Sequence, residues 1–191
     1  MGMTVGDASA SEKYDVALDN SLLFGVKAGY LTPFTSKIMA LEMEYNHMQH
    51  DFGQSKTYVE GGVNLKLDGD ITIDALMFNI LGRYPNGAFH PYAGLGVGYA
   101  NAQIGNISAT RASGGAQTAN YASATVGVAA YQFLAGIDFD VTKNIIVGLS
   151  YKFFGTGTIS YTSTDSVRNR TANFDLEYKS HNFILSVSYM F

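Results

Sequence analysis

Several residue types are scarce or missing in this chain of 191 residues. It has no cysteine, which excludes disulfide bonds, thiolate metal ligands and a cysteine nucleophile. Charged side chains make up 15% of the sequence, with 16 acidic against 12 basic residues. Soluble domains carry about 25% charged residues, so this deficit argues against an ordinary water-soluble enzyme. Because the net charge is −4 and no basic run occurs, nucleic acid is not expected as a partner.

Long apolar runs are also missing. No segment reaches the roughly 18 consecutive apolar residues of a membrane-spanning helix. Residues 1–4 lack the basic and apolar parts of a secretory signal. Tryptophan is absent and proline occurs only 3 times, whereas there are 21 glycines, 13 tyrosines and 12 phenylalanines. No internal linker is visible, and the length predicts a single domain over 1–191.

What the sequence does have is a repeated alternation of large apolar residues with small or polar ones. In the last segment, Phe183, Leu185, Val187, Tyr189 and Phe191 alternate with Asn, Ile, Ser, Ser and Met. This period of two is typical of a β-strand whose faces meet different environments. Seven such segments are predicted to be strands: 22–30, 39–46, 76–84, 94–99, 131–141, 145–153 and 182–191.

The connections between the predicted strands alternate in length. The short ones contain Pro, Gly or Asn and are predicted to be turns: 33–37, 85–90 and 142–144. The long ones are rich in Gly, Ser, Thr, Asn and Ala and are predicted to be loops: 48–70, 103–124 and 156–173. Short turns at one end and long loops at the other are typical of an antiparallel, up-and-down transmembrane β-barrel. The predicted fold class is therefore all-β.

The two faces of the strands indicate which one would contact lipid. One face is apolar with aromatic rings near the strand ends, which suits the two lipid–water interfaces. The predicted interfacial aromatics are Tyr30, Tyr45, Tyr84, Tyr99, Tyr131 and Phe139. The other face is rich in glycine with isolated charges, and charges kept from water are expected to pair. We predict an interior charge network of Lys27, Glu42, Glu44, Arg83, Asp138 and Lys152.

Several segments resemble the small outer-membrane β-barrel family of Gram-negative bacteria, which includes the opacity-type proteins and the transmembrane domain of outer membrane protein A. The resemblance covers about 21–191 and is carried by the segments 40–45, 80–84, 91–99, 148–152 and 183–191. It implies that the final run, with its terminal Phe, is a C-terminal assembly signal made by Phe183, Leu185, Val187, Tyr189 and Phe191.

The resemblance also implies a barrel of eight strands. Only seven are clear in the sequence, so residues 1–20 are expected to hold a short or truncated strand 1 and the first extracellular loop. The family lies in the outer membrane. The implied partners are therefore outer-membrane lipid and lipopolysaccharide, the outer-membrane assembly machinery, and an extracellular ligand of unknown identity.

The resulting prediction is a non-enzymatic cell-surface protein that presents long extracellular loops, with adhesion or host contact as a hypothesis. Two alternatives stay open. One is a small channel for ions or small apolar molecules, which Glu–Arg or Glu–Lys pairs across the interior would contradict. The other is a soluble calycin-like binding barrel, which would fold without detergent.

No cofactor and no metal ion are expected. His47 and His50 would point to opposite faces of a strand, so a joint metal site is not predicted there. No Gly-x-Ser-x-Gly element occurs, and no Ser and His stand at a convincing spacing. No catalytic residue is therefore predicted.

Overall fold

The computed structural model of the chain describes residues 2–7, 10–15, 23–52, 57–60, 63–111, 117–167 and 170–191. The strands are β1 (Gly2–Asp7), β2 (Ala10–Asp15), β3 (Leu23–Leu31), β4 (Met39–Phe52), β5 (Thr57–Glu60), β6 (Val63–Arg83), β7 (Phe89–Ile104), β8 (Ile107–Arg111), β9 (Gln117–Tyr121), β10 (Ala124–Asp140), β11 (Ile145–Thr156), β12 (Ile159–Asp165), β13 (Arg170–Glu177) and β14 (Lys179–Tyr189). One 3-10 turn, Pro33–Thr35, lies between β3 and β4. Within the described ranges, no helix is long and apolar enough to cross a membrane.

Seven strands form an antiparallel meander. Their order is β3-β4-β6-β7-β10-β11-β14, so strands that are close in sequence are also neighbours in the sheet. Each of the seven segments predicted from alternation lies within one of these strands or runs past its end by at most two residues, apart from residue 22, which lies outside the described residues. The predicted all-β, antiparallel, up-and-down architecture is confirmed.

The three connections predicted to be long loops are largely strands, so that prediction is wrong. Strands β4 to β6 extend into 48–70, β8 and β9 into 103–124, and β12 and β13 into 156–173. In β12, Ile159 and Tyr161 are buried while the Ser and Thr residues next to them are exposed. Small hydroxyl residues form a strand when the alternate positions pack against a core, and composition alone does not reveal that packing.

These additional strands prolong the meander at one end. We call this part the extension; it comprises β1, β2, β5, β8, β9, β12, β13 and residues 63–70 of β6. Strand β8 pairs with β6 and β9, and β12 pairs with β9 and β13. Strand β1 pairs with β13 and β2. Backbone hydrogen bonds therefore hold the hairpins of the extension side by side.

The opposite end of the meander, which we call the short-turn end, carries the β3–β4, β6–β7 and β10–β11 connections. In the first, Thr32 Oγ1 donates to the carbonyl of Met39 at 2.9 Å, and the Met39 N–H donates to Thr35 Oγ1 at 3.1 Å. Lys37 in this turn has a left-handed backbone, with φ of 63°. In the second, the φ of 80° at Gly87 is a conformation that glycine adopts without a Cβ clash.

The inward face of the meander is packed, and the outward face is apolar and exposed. Outward Leu95, Val97 and Leu149 are 60%, 67% and 62% exposed. The main buried cluster lies where the meander meets the extension, and we call it the upper core: Met48, Ile71, Ile73, Ala75, Met77, Ala100, Ala102, Ile104, Ile107, Ala130, Phe154, Ile159, Tyr161, Phe174, Leu176 and Tyr178. Apolar side chains therefore fill the interior at the extension end.

Candidate functional site

Glu44 is the centre of a hydrogen-bonded cluster in the interior. It points inward from β4 and is only 8% exposed. Its Oε1 accepts from the ammonium of Lys152 on β11, and its Oε2 accepts from the amides of Gln132 at 2.8 Å and Asn79 at 3.2 Å. These donors compensate a carboxylate that has lost its water. We call Glu44, Asn46, Asn79, Gln132 and Lys152 the Glu44 cluster.

Lys152 connects two strands that are not neighbours. Its Nζ also donates to Asn46 Oδ1 on β4, at 2.8 Å, and the residue is 1% exposed. Between β4 and β11 lie β6, β7 and β10. The Lys152–Glu44 ion pair therefore crosses the interior instead of following the sheet.

The inward glycines of β7 make room for this cluster. A Cβ at Gly96 would lie 2.0 Å from Asn79 Oδ1 and 2.8 Å from Gln132 Cγ. A Cβ at Gly94 would lie 2.2 Å from Leu81 Cδ2. Side chains of the flanking strands occupy the space above these glycines, so the glycine face is not an empty passage.

The other predicted interior charges lie nearer the short-turn end. Lys27 Nζ is 3.3 Å from Glu42 Oε1, and it lies 5.9 Å from the centre of the Tyr92 ring. Arg83 and Asp138 also lie on the inward side, but within the described residues neither forms an ion pair. The structure thus joins four of the six predicted charges into two pairs and leaves Arg83 and Asp138 outside them.

Sequence reasoning missed the polar residues that complete these contacts. Asn46, Asn79 and Gln132 are amides on inward positions, and all three are buried. His90, which is 3% exposed, has its Nε2 3.0 Å from Asp140 Oδ2. The alternation of inward and outward positions along each strand could have identified them. It places these side chains on the glycine-rich inward face, where a buried amide or imidazole needs a hydrogen-bonding partner.

A second contact crosses the interior in the upper core. The hydroxyl of Tyr178, a fully buried residue between β13 and β14, contacts Nε2 of His50 on β4. The same hydroxyl lies 3.8 Å from the sulfur of Met48, and the Tyr178 ring packs 6.0 Å from that of Phe154. Burial raises the pKa of Tyr178 to about 12. Side chains on the inward face of β4 therefore contact residues across the interior at two positions: Glu44 contacts Lys152, and His50 contacts Tyr178.

His47 points away from this core. Its Nδ1 is 2.8 Å from Asp74 Oδ1, which also accepts from the hydroxyl of Tyr45 at 2.6 Å. His47 and His50 thus lie on opposite faces of β4. In the part of the chain that the structure describes, no group of three or more His, Asp or Glu residues could hold a metal ion.

The predicted interfacial aromatics point outward in two groups. Tyr30, Tyr84 and Phe139 lie close to the short turns, and Tyr45, Tyr99 and Tyr131 lie toward the extension. The side chains of the C-terminal run, Phe183, Leu185, Val187, Tyr189 and Phe191, are exposed on the outward side too. The outward face between the two groups is apolar.

The whole sequence, residues 1–191, matches the model of the outer membrane protein beta-barrel domain. The chain belongs to this family. One similar solved structure is Neisserial surface protein A, with a TM-score of 0.49 and 13% identity over 100% of this chain and 92% of that one. Another is Ail, the attachment invasion locus protein of Yersinia pestis, solved with the heparin analogue sucrose octasulfate; its TM-score is 0.43, with 15% identity over 98% and 91% of the two chains. No curated protein matches the sequence.

Membership of the outer-membrane β-barrel family settles the environment of the two faces. The protein lies in the outer membrane of a Gram-negative bacterium, and its strands cross that membrane. The exposed apolar side chains of the meander therefore contact lipid. The soluble calycin-like alternative does not hold.

Proposed function

We propose that this outer-membrane β-barrel is a non-enzymatic surface protein with a closed interior, which presents the hairpins of the extension outside the cell. The observation that carries the proposal is the Glu44 cluster, whose Lys152–Glu44 ion pair crosses the interior from β11 to β4. The family's long connections are extracellular and its short turns periplasmic, and we assign the extension and the short-turn end accordingly.

The energetics of the Glu44 cluster favour a closed interior over a channel. The interior of a barrel of about eight strands is only wide enough for side chains to fill it. A continuous water path would require Glu44 to separate from Lys152, Gln132 and Asn79. Breaking a buried ion pair costs about 3–5 kcal/mol when one charge is left alone. The upper core adds a second, apolar obstruction toward the extension.

The described residues also favour a non-enzymatic role. His47 and Asp74 make a His–Asp contact on the outward face, but the hydroxyl that joins them is that of Tyr45, which donates to the same Asp74 oxygen. A Ser-type nucleophile would have to donate its hydroxyl proton to one histidine ring nitrogen, with the acid on the other ring nitrogen. That arrangement is not found among the described side chains at this position.

The outward face of the meander contacts lipid and its interior is filled, so the hairpins of the extension are the surface that could contact another molecule. Their described strands pair side by side above the upper core and form a platform. We propose contact with another cell or host surface as their role. We also propose that the two groups of outward aromatics mark the membrane interfaces, and that the assembly machinery recognises the C-terminal run 183–191.

Electrical recording tests the closed interior. The full chain, refolded into a planar bilayer, is expected to show no discrete conductance. In Lys152→Met, which leaves Glu44 without its cation, brief openings are expected. Lys179→Met is the matched control, because Lys179 pairs with Glu177 on the outward side and both are half exposed. Stable wild-type conductance that Lys152→Met leaves unchanged would establish the channel instead.

Surface display tests the recognition role separately. A non-adherent Gram-negative strain expressing the chain is expected to gain adhesion to epithelial cells. The control is the same chain with an epitope inserted after Ser166, in the β12–β13 connection, whose detection on intact cells also checks the assigned orientation. If the epitope is detected on intact cells but adhesion does not increase, the recognition role is contradicted, whereas the proposal of a closed interior is unaffected.

A further inference from the structure

Two lysines at the short-turn end differ from the other lysines whose side chains the structure describes. Lys27, Lys152 and Lys179 each form an ion pair with a glutamate. Lys37 and Lys143 are exposed and, within the described residues, have no carboxylate partner. Both lie in turns that connect adjacent strands of the meander. Their charges are thus available to a ligand outside the protein.

The first turn combines its lysine with exposed apolar side chains. Phe34 is 83% exposed and Ile38 is 50% exposed, on either side of Lys37. The turn is fixed by Thr32, which is 1% exposed and whose carbonyl accepts from the Lys37 N–H at 3.2 Å. Lys37 also holds a left-handed φ of 63°, a conformation that Asn or Gly adopts more readily than lysine. A lysine in such a position points to a role for its charge.

The second turn repeats the combination. Val141 is 53% exposed and Ile145 is 40% exposed, on either side of Lys143. Thr142 Oγ1 accepts from the Ile145 N–H at 3.0 Å, and the neighbouring Asn144 donates from Nδ2 to the carbonyl of Met190 at 2.7 Å. This turn is therefore also a fixed structure, tied to the C-terminal residues. Each turn presents one free ammonium between two exposed apolar side chains.

We propose that the short-turn end binds anionic phospholipid headgroups, with Lys37 and Lys143 contacting the phosphates. Lysine stems lie along apolar surface while their amines reach phosphate, and the flanking Phe34 and Val141 suit the upper acyl region of a leaflet. Among the residues whose side chains the structure describes, the outward charges at the opposite end are mainly acidic: Asp51, Asp70, Asp74, Asp175 and Glu177 lie there, and Lys179 is paired with Glu177. Anionic headgroups are therefore expected to bind at the short-turn end.

Backbone amide NMR of the folded chain in nonionic detergent micelles tests this binding. Added dihexanoylphosphatidylglycerol is expected to shift the amides of 32–38 and 141–145 saturably. Dihexanoylphosphatidylcholine and inorganic phosphate are expected to leave them nearly unchanged, since one lacks net charge and the other lacks acyl chains. Each lysine removed should raise the half-saturation concentration about fivefold, the ratio expected for one cation at a lipid surface.

Matched variants separate binding from folding. Lys37→Asn removes the charge and relieves the left-handed backbone, so this variant should fold at least as well as the wild type while it loses affinity. Lys143→Gln tests the second turn, and Lys179→Gln at the other end is the control that should keep full affinity. Equal shifts by the two lipids, shifts by phosphate alone, or unchanged affinity in Lys37→Asn with Lys143→Gln would overturn the proposal. The proposal depends on the membrane location and not on the surface role, so failure of either leaves the other intact.

Discussion

The side-chain amides of Asn79 and Gln132 meet across Gly96, with Gln132 Nε2 donating to Asn79 Oδ1 at 2.7 Å. The three residues are partners in register on β6, β7 and β10. Both amides also donate to Oε2 of Glu44. Because Gly96 has no side chain, Asn79 on β6 and Gln132 on β10 can both donate to the Glu44 carboxylate, although β6 and β10 are not adjacent.

Gly96→Ala is expected to destabilise the barrel by about 1–3 kcal/mol, because the new methyl group would overlap Asn79 and Gln132. Urea unfolding in lipid vesicles measures the change. Gly82→Ala is the matched control, since a Cβ at Gly82 would be 3.9 Å from its nearest neighbour, the carbonyl oxygen of Ala93. Equal stability of the two variants would contradict the assigned role of Gly96.

Lys152→Met is expected to lower the free energy of unfolding by about 3–5 kcal/mol, because it leaves Glu44 buried without its cation. Adding Glu44→Gln should recover a large part of the loss, since the isolated charge is then gone. A double-mutant cycle in urea measures this coupling. Lys179→Met removes an exposed pair and should cost less than about 1 kcal/mol. Additive losses in the cycle would mean that the two charges do not interact.

A charge on the outward face should be costly in the middle of the apolar band and tolerated beyond it. Leu95, which is 60% exposed and lies in register between Ile80 and Phe133, is the central position. Leu95→Arg is expected to cost about 2–4 kcal/mol of folding free energy, and Gln103→Arg about 0–1 kcal/mol. Folding titrations into vesicles give both values. Similar costs at the two positions would argue that the band does not face lipid there.

Alkaline pH should destabilise the extension through Tyr178. Its pKa is raised by burial to about 12, whereas the unfolded chain ionises near 10. The unfolded state therefore loses its proton first, and the free energy of unfolding falls as the pH rises between these values, by about 1.4 kcal/mol per pH unit. Tyr178→Phe should lack this part of the alkaline loss. Tyr161→Phe should also reduce the loss of stability at alkaline pH, because burial also raises the pKa of Tyr161.

Urea unfolding at neutral pH and at about pH 11 measures the free energy of unfolding of the wild type, Tyr178→Phe and Tyr161→Phe. Tyr178→Phe also removes the hydroxyl that contacts His50, so its neutral-pH stability serves as its own reference. The assignment fails if the wild type and Tyr178→Phe lose the same stability on going to the higher pH.

Phe191→Ala should impair assembly in cells without impairing folding in detergent. The Phe191 side chain is fully exposed, and its ring contact is with Tyr189 at 5.2 Å between centroids. The amount of heat-modifiable protein in outer-membrane fractions measures assembly, and refolding yield measures folding. Phe34→Ala, which removes another exposed ring, is the control. A parallel loss in both assays would assign Phe191 to folding and not to recognition.

Much of the barrel could be predicted from the sequence because strand geometry fixes where each side chain points. The alternation in 145–153 and 182–191 predicted the outward faces of β11 and β14, and the structure has those residues exposed, except for the half-buried Val147 and Phe153. The extension could not be predicted in the same way. Its strands use Ser and Thr on the outward side, and these residues indicate a strand only when the core behind them is known.

The sequence by itself determined the fold class, the two faces of the seven meander strands and the residue types inside them. Which interior residues meet was decided only by the tertiary structure, because the order and stagger of the strands bring Glu44 to Lys152 and His50 to Tyr178, more than 100 residues apart. The same arrangement left Arg83 and Asp138 outside the ion pairs. The alternation along a strand decides whether a side chain points inward or outward. Which residue it then contacts depends on the order and stagger of all the strands in the sheet.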